Sequence, residues 1–173
     1  MVARQAAKVW HDNTCIDMIE NSTGRCKKLK SAAQCKRGFP NPRDCSQCIC
    51  PGGYGGPLCD QRPYGCGKTL EATDKLQTFS YTLGQSGNTA QRKGRRVYIR
   101  IKDVFSQWIG PGCFTGGLEI KPQKDQRLTG YRYCKQSSAG KVFESEVDLV
   151  PVILYRDRGM VIAQWEYRMS MFY

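Results

Sequence analysis

Hydrophobic and polar positions alternate most regularly in the second half of the chain. In "RRVYIRIKDV", Val97, Ile99 and Ile101 fall on one face and Tyr98, Arg100 and Lys102 on the other, the period of two that a half-buried strand requires. "GGLEIKP" reads as a shorter strand of the same kind, with Glu119 turned outward between Leu118 and Ile120. Further on, "PVILY" and "MVIAQWEYRM" flank "RDRG", whose Gly159 suits a hairpin turn. No helical period of useful length runs through this half, so the succession of short strands and polar turns predicts a β-sandwich. Trp165, Tyr167 and Phe172 lie on the last of these strands, where core or cross-strand packing is their expected role. At the opposite end, Val2, Ala6, Val9 and Trp10 recur at spacings of three or four and predict a short amphipathic helix. A helix of about ten residues is marginal in water without a packing partner.

Between these regions the pattern is set by cysteine rather than by apolar period. The ten cysteines fall at 15, 26, 35, 45, 48, 50, 59, 66, 113 and 134, four of them inside "CSQCICPGGYGGPLC". Such density serves either metal ligation in a reducing compartment or disulfide stapling outside it. Zinc asks for two closely spaced pairs; Cys45 and Cys48 could form one, but a matching second pair is missing. Cys50 and Cys59 enclose "PGGYGGPL", a spacer that turns sharply because glycine tolerates positive φ and proline pre-sets a turn. A tight two-stranded loop closed by a disulfide is the simpler reading.

Composition makes those staples necessary. Leu, Ile, Val and Phe together number 33 of 173 residues and the formal net charge is +12, which places the chain at the edge of the disordered class. Each disulfide adds roughly 2–4 kcal/mol by constraining the unfolded chain. No apolar run reaches ~18 residues, so no membrane span is expected. The start, "MVARQAAKVWHDN", lacks the charged-then-apolar layout of a secretory leader, which conflicts with an extracellular, disulfide-rich protein.

The C-x-C-P-G-G-Y-G-G-x-x-C phrase ending at Cys59 resembles the second half of an EGF-like module. That resemblance implies pairing of Cys26 with Cys45, Cys35 with Cys48 and Cys50 with Cys59. No acidic residue stands in the stretch "NSTGR" immediately before Cys26, where a calcium-binding module of this type would need one. "GCGKTLEATDKLQTFSYTLG", "GCFTGGLEIKPQKDQRLTGYRYC" and "VPVILYR" resemble a CUB domain, specifically the one that follows an EGF-like module in nematode astacin-like metalloproteases. That similarity runs from 26 to 173 and implies a Cys113–Cys134 bond. "ARQAAKVWHDNTCIDMIENST" resembles the opening of an astacin catalytic domain.

The expected organisation is therefore mainly β: residues 1–25 a remnant of a catalytic domain, 26–65 an EGF-like module, and 66–173 a CUB sandwich that is incomplete near 84–96. "LGQSGNTAQRKG" stands where a CUB domain usually carries a further cysteine, so Cys15 and Cys66 are expected to be unpaired. An alternative splice form or an incomplete gene model would account for these gaps and for the missing leader.

Astacins hold zinc on H-E-x-x-H-x-x-G-x-x-H, where two histidines one helical turn apart share a face and the glutamate activates the water. Here the single histidine is His11 and the motif is absent. No catalytic or metal-ligating residues are expected, and no cofactor, although zinc serves the intact family enzyme. Many CUB domains bind calcium through an acidic residue just after the third cysteine; Thr115 and its neighbours supply no carboxylate, so no such site is expected either.

Two classes of function follow. One is a non-catalytic extracellular EGF–CUB region that engages a protein or matrix ligand and targets the protease; the other is a fragment or mis-assembled form of an active secreted zinc endopeptidase. Basic residues cluster at Lys27, Lys28, Lys30, Lys36 and Arg37, and "RKGRR" spans 92–96. These suit solvated turns or contact with a polyanion such as a glycosaminoglycan; nuclear targeting fits least with disulfides, and no nucleic-acid partner is expected. Asn21 opens the sequon N-S-T and Asn13 the weaker N-T-C, which matter in a secreted glycoprotein.

Overall fold

A computed structural model of the chain describes residues 35–64, 68–83 and 96–170. The predicted N-terminal helix, Phe172 and the segment 84–95 lie outside the described residues. Within them the fold is mainly β, with two short 3-10 turns as its helical elements.

The first part, 35–64, is a small unit held by cysteine and turns. Strand β1 (Phe39–Pro40) pairs antiparallel with β2 (Cys48–Ile49), and an isolated bridge joins Gly55 to Gln61. Apolar side chains are too few here to build a separate core, and sulfur takes their place. Cys59 is fully buried with Tyr54 and Leu149, and Cys48 and Cys50 pack against them.

The rest is a two-layer sandwich. One sheet has the strand order β3–β9–β4–β7, formed by β3 (Gln77–Leu83), β4 (Val97–Ser106), β7 (Val142–Glu144) and β9 (Val161–Met169). The other has the order β6–β5–β8, formed by β5 (Gly116–Ile120), β6 (Tyr131–Tyr133) and β8 (Val152–Arg156). All neighbouring strands are antiparallel. The inner faces supply the core: Val97, Ile99, Ile101, Val104, Val161, Ala163, Trp165 and Tyr167 from one sheet, Leu118, Ile120, Val152 and Leu154 from the other. Trp165 sits at its centre, paired across to Ile101 on β4 and to Phe79 on β3. The Phe79 and Trp165 rings are tilted, with centroids 5.1 Å apart.

Strand β4 keeps its apolar residues inside by breaking its own alternation. Its register against β9 shifts between Ile101 and Asp103, and beyond that bulge Val104 and Ser106 point inward while Phe105 is exposed. A bulge adds one residue to one strand and so reverses which positions face the core. Without it Asp103 would enter the sandwich.

Two expectations from the sequence need correction. The segments around "RDRG" do not form a hairpin. Gly159 does adopt φ +74°, but β8 pairs with β5 and β9 with β3 and β4, so the turn carries the chain from one sheet to the other. Each strand has its apolar face on the inner side of its own sheet, and pairing them with one another would leave the sandwich without a second layer. Glu119 faces away from the core as expected, yet only 6% of it is exposed. Its carboxylate accepts hydrogen bonds from the Gly130 amide (2.8 Å) and from Arg132 Nε (2.8 Å), and these cover it.

Candidate functional site

The most constrained polar cluster lies where the stapled unit meets the sandwich. Pro51 to Gly56 turns back on itself, with the Tyr54 amide donating to the Pro51 carbonyl. Gly53 at this turn has φ +90°, and a Cβ there would stand 2.6 Å from Pro151 Cβ. Only glycine meets both demands, a left-handed backbone and direct contact with the start of β8. The turn therefore presses on Pro151 and Ile153, and Tyr54 is driven into the gap between the two units.

Lys121 closes this contact from the other side. It follows β5 in the chain and is 1% exposed, which is rare for lysine. Its Nζ donates to the carbonyls of Gln126 (2.6 Å) and Gly52 (3.2 Å) and lies 5.9 Å from the Tyr54 ring centroid. Arg37 lies over the same ring at 5.2 Å. Gln126, itself buried, accepts from the Tyr54 hydroxyl (3.0 Å) and donates to the carbonyls of Lys121 (3.1 Å) and Gln123. A buried ammonium needs acceptors or its desolvation goes uncompensated; here two carbonyls, one from each unit, supply them. Burial holds Lys121 below the usual lysine range, an effect that Glu119 and then Asp125 oppose. Burial also pushes Tyr54 up to about 12.

A second arrangement is electrostatic. On the outer face of the four-stranded sheet Arg100 Nε donates to Glu166 (2.7 Å), and Lys102 Nζ stands 3.3 Å from the other carboxylate oxygen. The Arg100 bond is the main cause that holds the Glu166 carboxyl below its ordinary value. Arg168 lies over the Tyr98 ring at 4.9 Å. One glutamate thus serves two cations, and with Arg168 the face stays basic. Elsewhere Arg127 grips Asp125 and lowers its carboxyl to about 2.

The cysteines are placed as follows. Cys35 is bonded to Cys48, Cys50 to Cys59 and Cys113 to Cys134. Cys45 is also disulfide-bonded; Cys26, with which the resemblance pairs it, lies outside the described residues, as do Cys15, Cys66, Asn13 and Asn21. Of the two basic clusters, Lys36, Arg37 and Arg96 are described. Lys36 pairs with Asp60 at 2.8 Å. Thr115 donates its hydroxyl to the Trp108 carbonyl (2.6 Å).

Whether these residues fit a metal is answered by their donor chemistry. Among the described residues no group of three or more His, Cys, Asp or Glu side chains is arranged to hold an ion, and every described cysteine is in a disulfide. The described residues do not fit a catalytic zinc. No helix among the described residues is long and apolar enough to cross a membrane. The sequence carries no mark of the burial of Lys121 and Gln126, because "IKPQKDQRL" reads as a solvated turn with charges of both signs.

Similarity to known proteins runs along most of the chain. It is 44% identical over 164 residues to zinc metalloproteinase nas-31 of Caenorhabditis elegans, a match covering 86% of this chain and 27% of that protein. It is 37% identical over 163 residues to zinc metalloproteinase nas-25 of the same organism, covering 83% of this chain and 40% of that one. A third, nas-32, is 34% identical over 148 residues, covering 76% and 23%. No family model matches the chain. The chain spans less than half the length of each of these relatives, and it belongs, as a partial member, to the astacin-like zinc metalloproteinase family.

Proposed function

We propose that this chain is a non-catalytic, extracellular interaction and targeting region derived from an astacin-like zinc endopeptidase, with an EGF-like module at 26–65 and a CUB sandwich at 66–173. The observation that carries this reading is the inventory of ligands: one histidine, His11, and no H-E-x-x-H in the whole sequence. A zinc peptidase needs imidazoles at i and i+4 on one helix face and a glutamate beside them. Lys121 supports the interaction role, because its bonds to Gly52 and Gln126 fix the stapled unit against the sandwich and so present both as one surface. The partner is an extracellular protein or a matrix polyanion. Arg100, Lys102 and Arg168 on one sheet face supply positive charge for the latter, in a chain of net charge +12.

Chromatography on immobilised heparin tests the polyanion contact. The chain is expected to be retained at physiological salt, and the triple substitution Arg100→Gln/Lys102→Gln/Arg168→Gln is expected to elute at distinctly lower salt. An elution position that the triple substitution leaves unmoved overturns the assignment of this face.

A further inference from the structure

The end of the sandwich where β4 leaves and β9 begins carries apolar side chains that fold stability does not explain. Trp108 is 52% exposed, Ile109 54% and Phe114 64%, with Met160 beside them. They are not on a slack loop. Gln107 exchanges hydrogen bonds with Met160, its amide to the Met160 carbonyl (2.9 Å) and its Oε1 accepting from the Met160 amide (3.1 Å). The Trp108 carbonyl accepts from both Ser106 Oγ (2.9 Å) and Thr115 Oγ1 (2.6 Å), and the Asp157 amide donates to the Thr115 carbonyl (2.8 Å). Tyr155 donates its hydroxyl to the Cys113 carbonyl (2.7 Å). The Trp108 indole lies directly on Gly159, where a Cβ would come 2.5 Å from its ring. The Cys113–Cys134 bond ties the same loop to the end of β6.

The charge around this tip is mainly basic. Residues 105–116 contain no acidic side chain. Arg156 donates to the Gly159 carbonyl (2.6 Å) and Lys135 follows Cys134. Asp157 is the acid of the tip, and Arg158 stands 3.4 Å from it. Exposed Trp, Ile, Phe and Met ringed by Arg and Lys form the composition of a surface that dips into an anionic bilayer: rings and aliphatic chains enter the headgroup–acyl boundary while the cations stay with the phosphates. Size separates this from a protein-docking face. A stable protein interface occupies ~800 Å² and about 20–30 residues on each side. Four side chains on one loop and one turn are too few for that, whereas each can enter a lipid interface independently.

We propose that the Trp108–Ile109–Phe114–Met160 tip is a peripheral membrane-docking site for anionic phospholipid, acting beside the interaction role above and independent of it. Co-sedimentation of the full chain with phosphatidylcholine vesicles, with and without about 30% phosphatidylserine, provides the test. Binding is expected to the anionic vesicles, much weaker to the neutral ones, and accompanied by a blue shift of tryptophan emission that Trp108→Phe removes. Trp108→Ala/Phe114→Ala should weaken binding at least ~10-fold with unchanged near-ultraviolet circular dichroism from buried Trp165, and Arg156→Gln/Arg158→Gln should weaken it further with salt sensitivity reduced. The proposal is overturned by absence of binding to both vesicles, by equal binding of the Trp108→Ala/Phe114→Ala variant, or by concentration-dependent dimers that this variant abolishes without any vesicle binding, which would assign the tip to a second copy of the chain.

Discussion

The Lys121 ammonium and the Gly52 carbonyl meet at 3.2 Å across the boundary between the stapled unit and the sandwich. The same ammonium takes its second acceptor from Gln126, so a single buried charge has both of its acceptors only when both parts of the molecule are in place. Local hydrogen bonding thus adds to the apolar contact of Tyr54 and Cys59 with Leu149 in holding the two units together.

Replacing Lys121 separates the two contributions. Lys121→Ala removes the donor, leaves two carbonyls, that of the buried Gln126 among them, without it and opens a cavity, and should cost about 2–4 kcal/mol by urea denaturation. Lys121→Met keeps most of the volume and removes the charge that had to be desolvated, so its cost should stay near 1 kcal/mol. Equal losses for both would mean that the ammonium, not the stem, holds the junction.

Gly53 gives a backbone test of the same contact. Gly53→Ala places a methyl against Pro151 at a residue with φ +90°, and both the strain and the clash act in one direction. A loss of about 2–3 kcal/mol is expected, with reduced protection from hydrogen exchange at Tyr54. A variant as stable as the parent would show that the turn does not press on β8.

Alkaline pH should loosen the junction through Tyr54. Its hydroxyl titrates at about 12 in the folded chain and near 10 when unfolded. Between those values the unfolded chain has released a proton that the folded chain keeps, so the stabilising effect is complete below pH ~10 and is lost as pH rises toward 12. Screening by the solvent that reaches the junction keeps this contribution below roughly 2–3 kcal/mol. Lys121 acts in the opposite sense: its lowered value means that the unfolded chain holds the extra proton just below pH 10.5, and stability rises with pH there. Other tyrosines raised by partial burial add to the Tyr54 effect, Tyr155 among them. The informative quantity is therefore the difference between parent and Tyr54→Phe, whose stability should fall less steeply from pH 10 to 12.

What the sequence made legible follows the physics that writes it. Strict alternation at Val97, Ile99 and Ile101 marks β4 because a half-buried strand leaves that imprint, and the apolar runs at 152–156 and 161–169 mark β8 and β9. The imprint does not say which strands pair: β8 and β9 are neighbours in sequence and lie in different sheets, a choice made by where each apolar face finds a second layer. Nor does it mark Lys121 or Gln126, since a buried lysine whose acceptors are backbone carbonyls looks like any other lysine in a polar turn. Nor does any periodicity place Trp108 and Phe114, whose rings rest on Gly159 and Gly110.

Sulfur supports the small unit where apolar residues are few. Cys50→Ser/Cys59→Ser opens a bond of sequence separation 9 beneath Tyr54 and Leu149, and should cost about 2–4 kcal/mol. Non-reducing peptide mapping of the parent should recover Cys35 with Cys48, Cys50 with Cys59, Cys113 with Cys134, and Cys45 with Cys26. A peptide linking Cys15 to Cys45 would place the boundary of the stapled unit further toward the start of the chain.

The most direct test of the non-catalytic account is metal content and peptidase activity measured on one purified sample. After dialysis the chain should hold far less than one zinc per molecule and leave a denatured protein substrate uncut, with or without added zinc. Stoichiometric zinc retained with chelator-sensitive cleavage that co-purifies with the chain would contradict it.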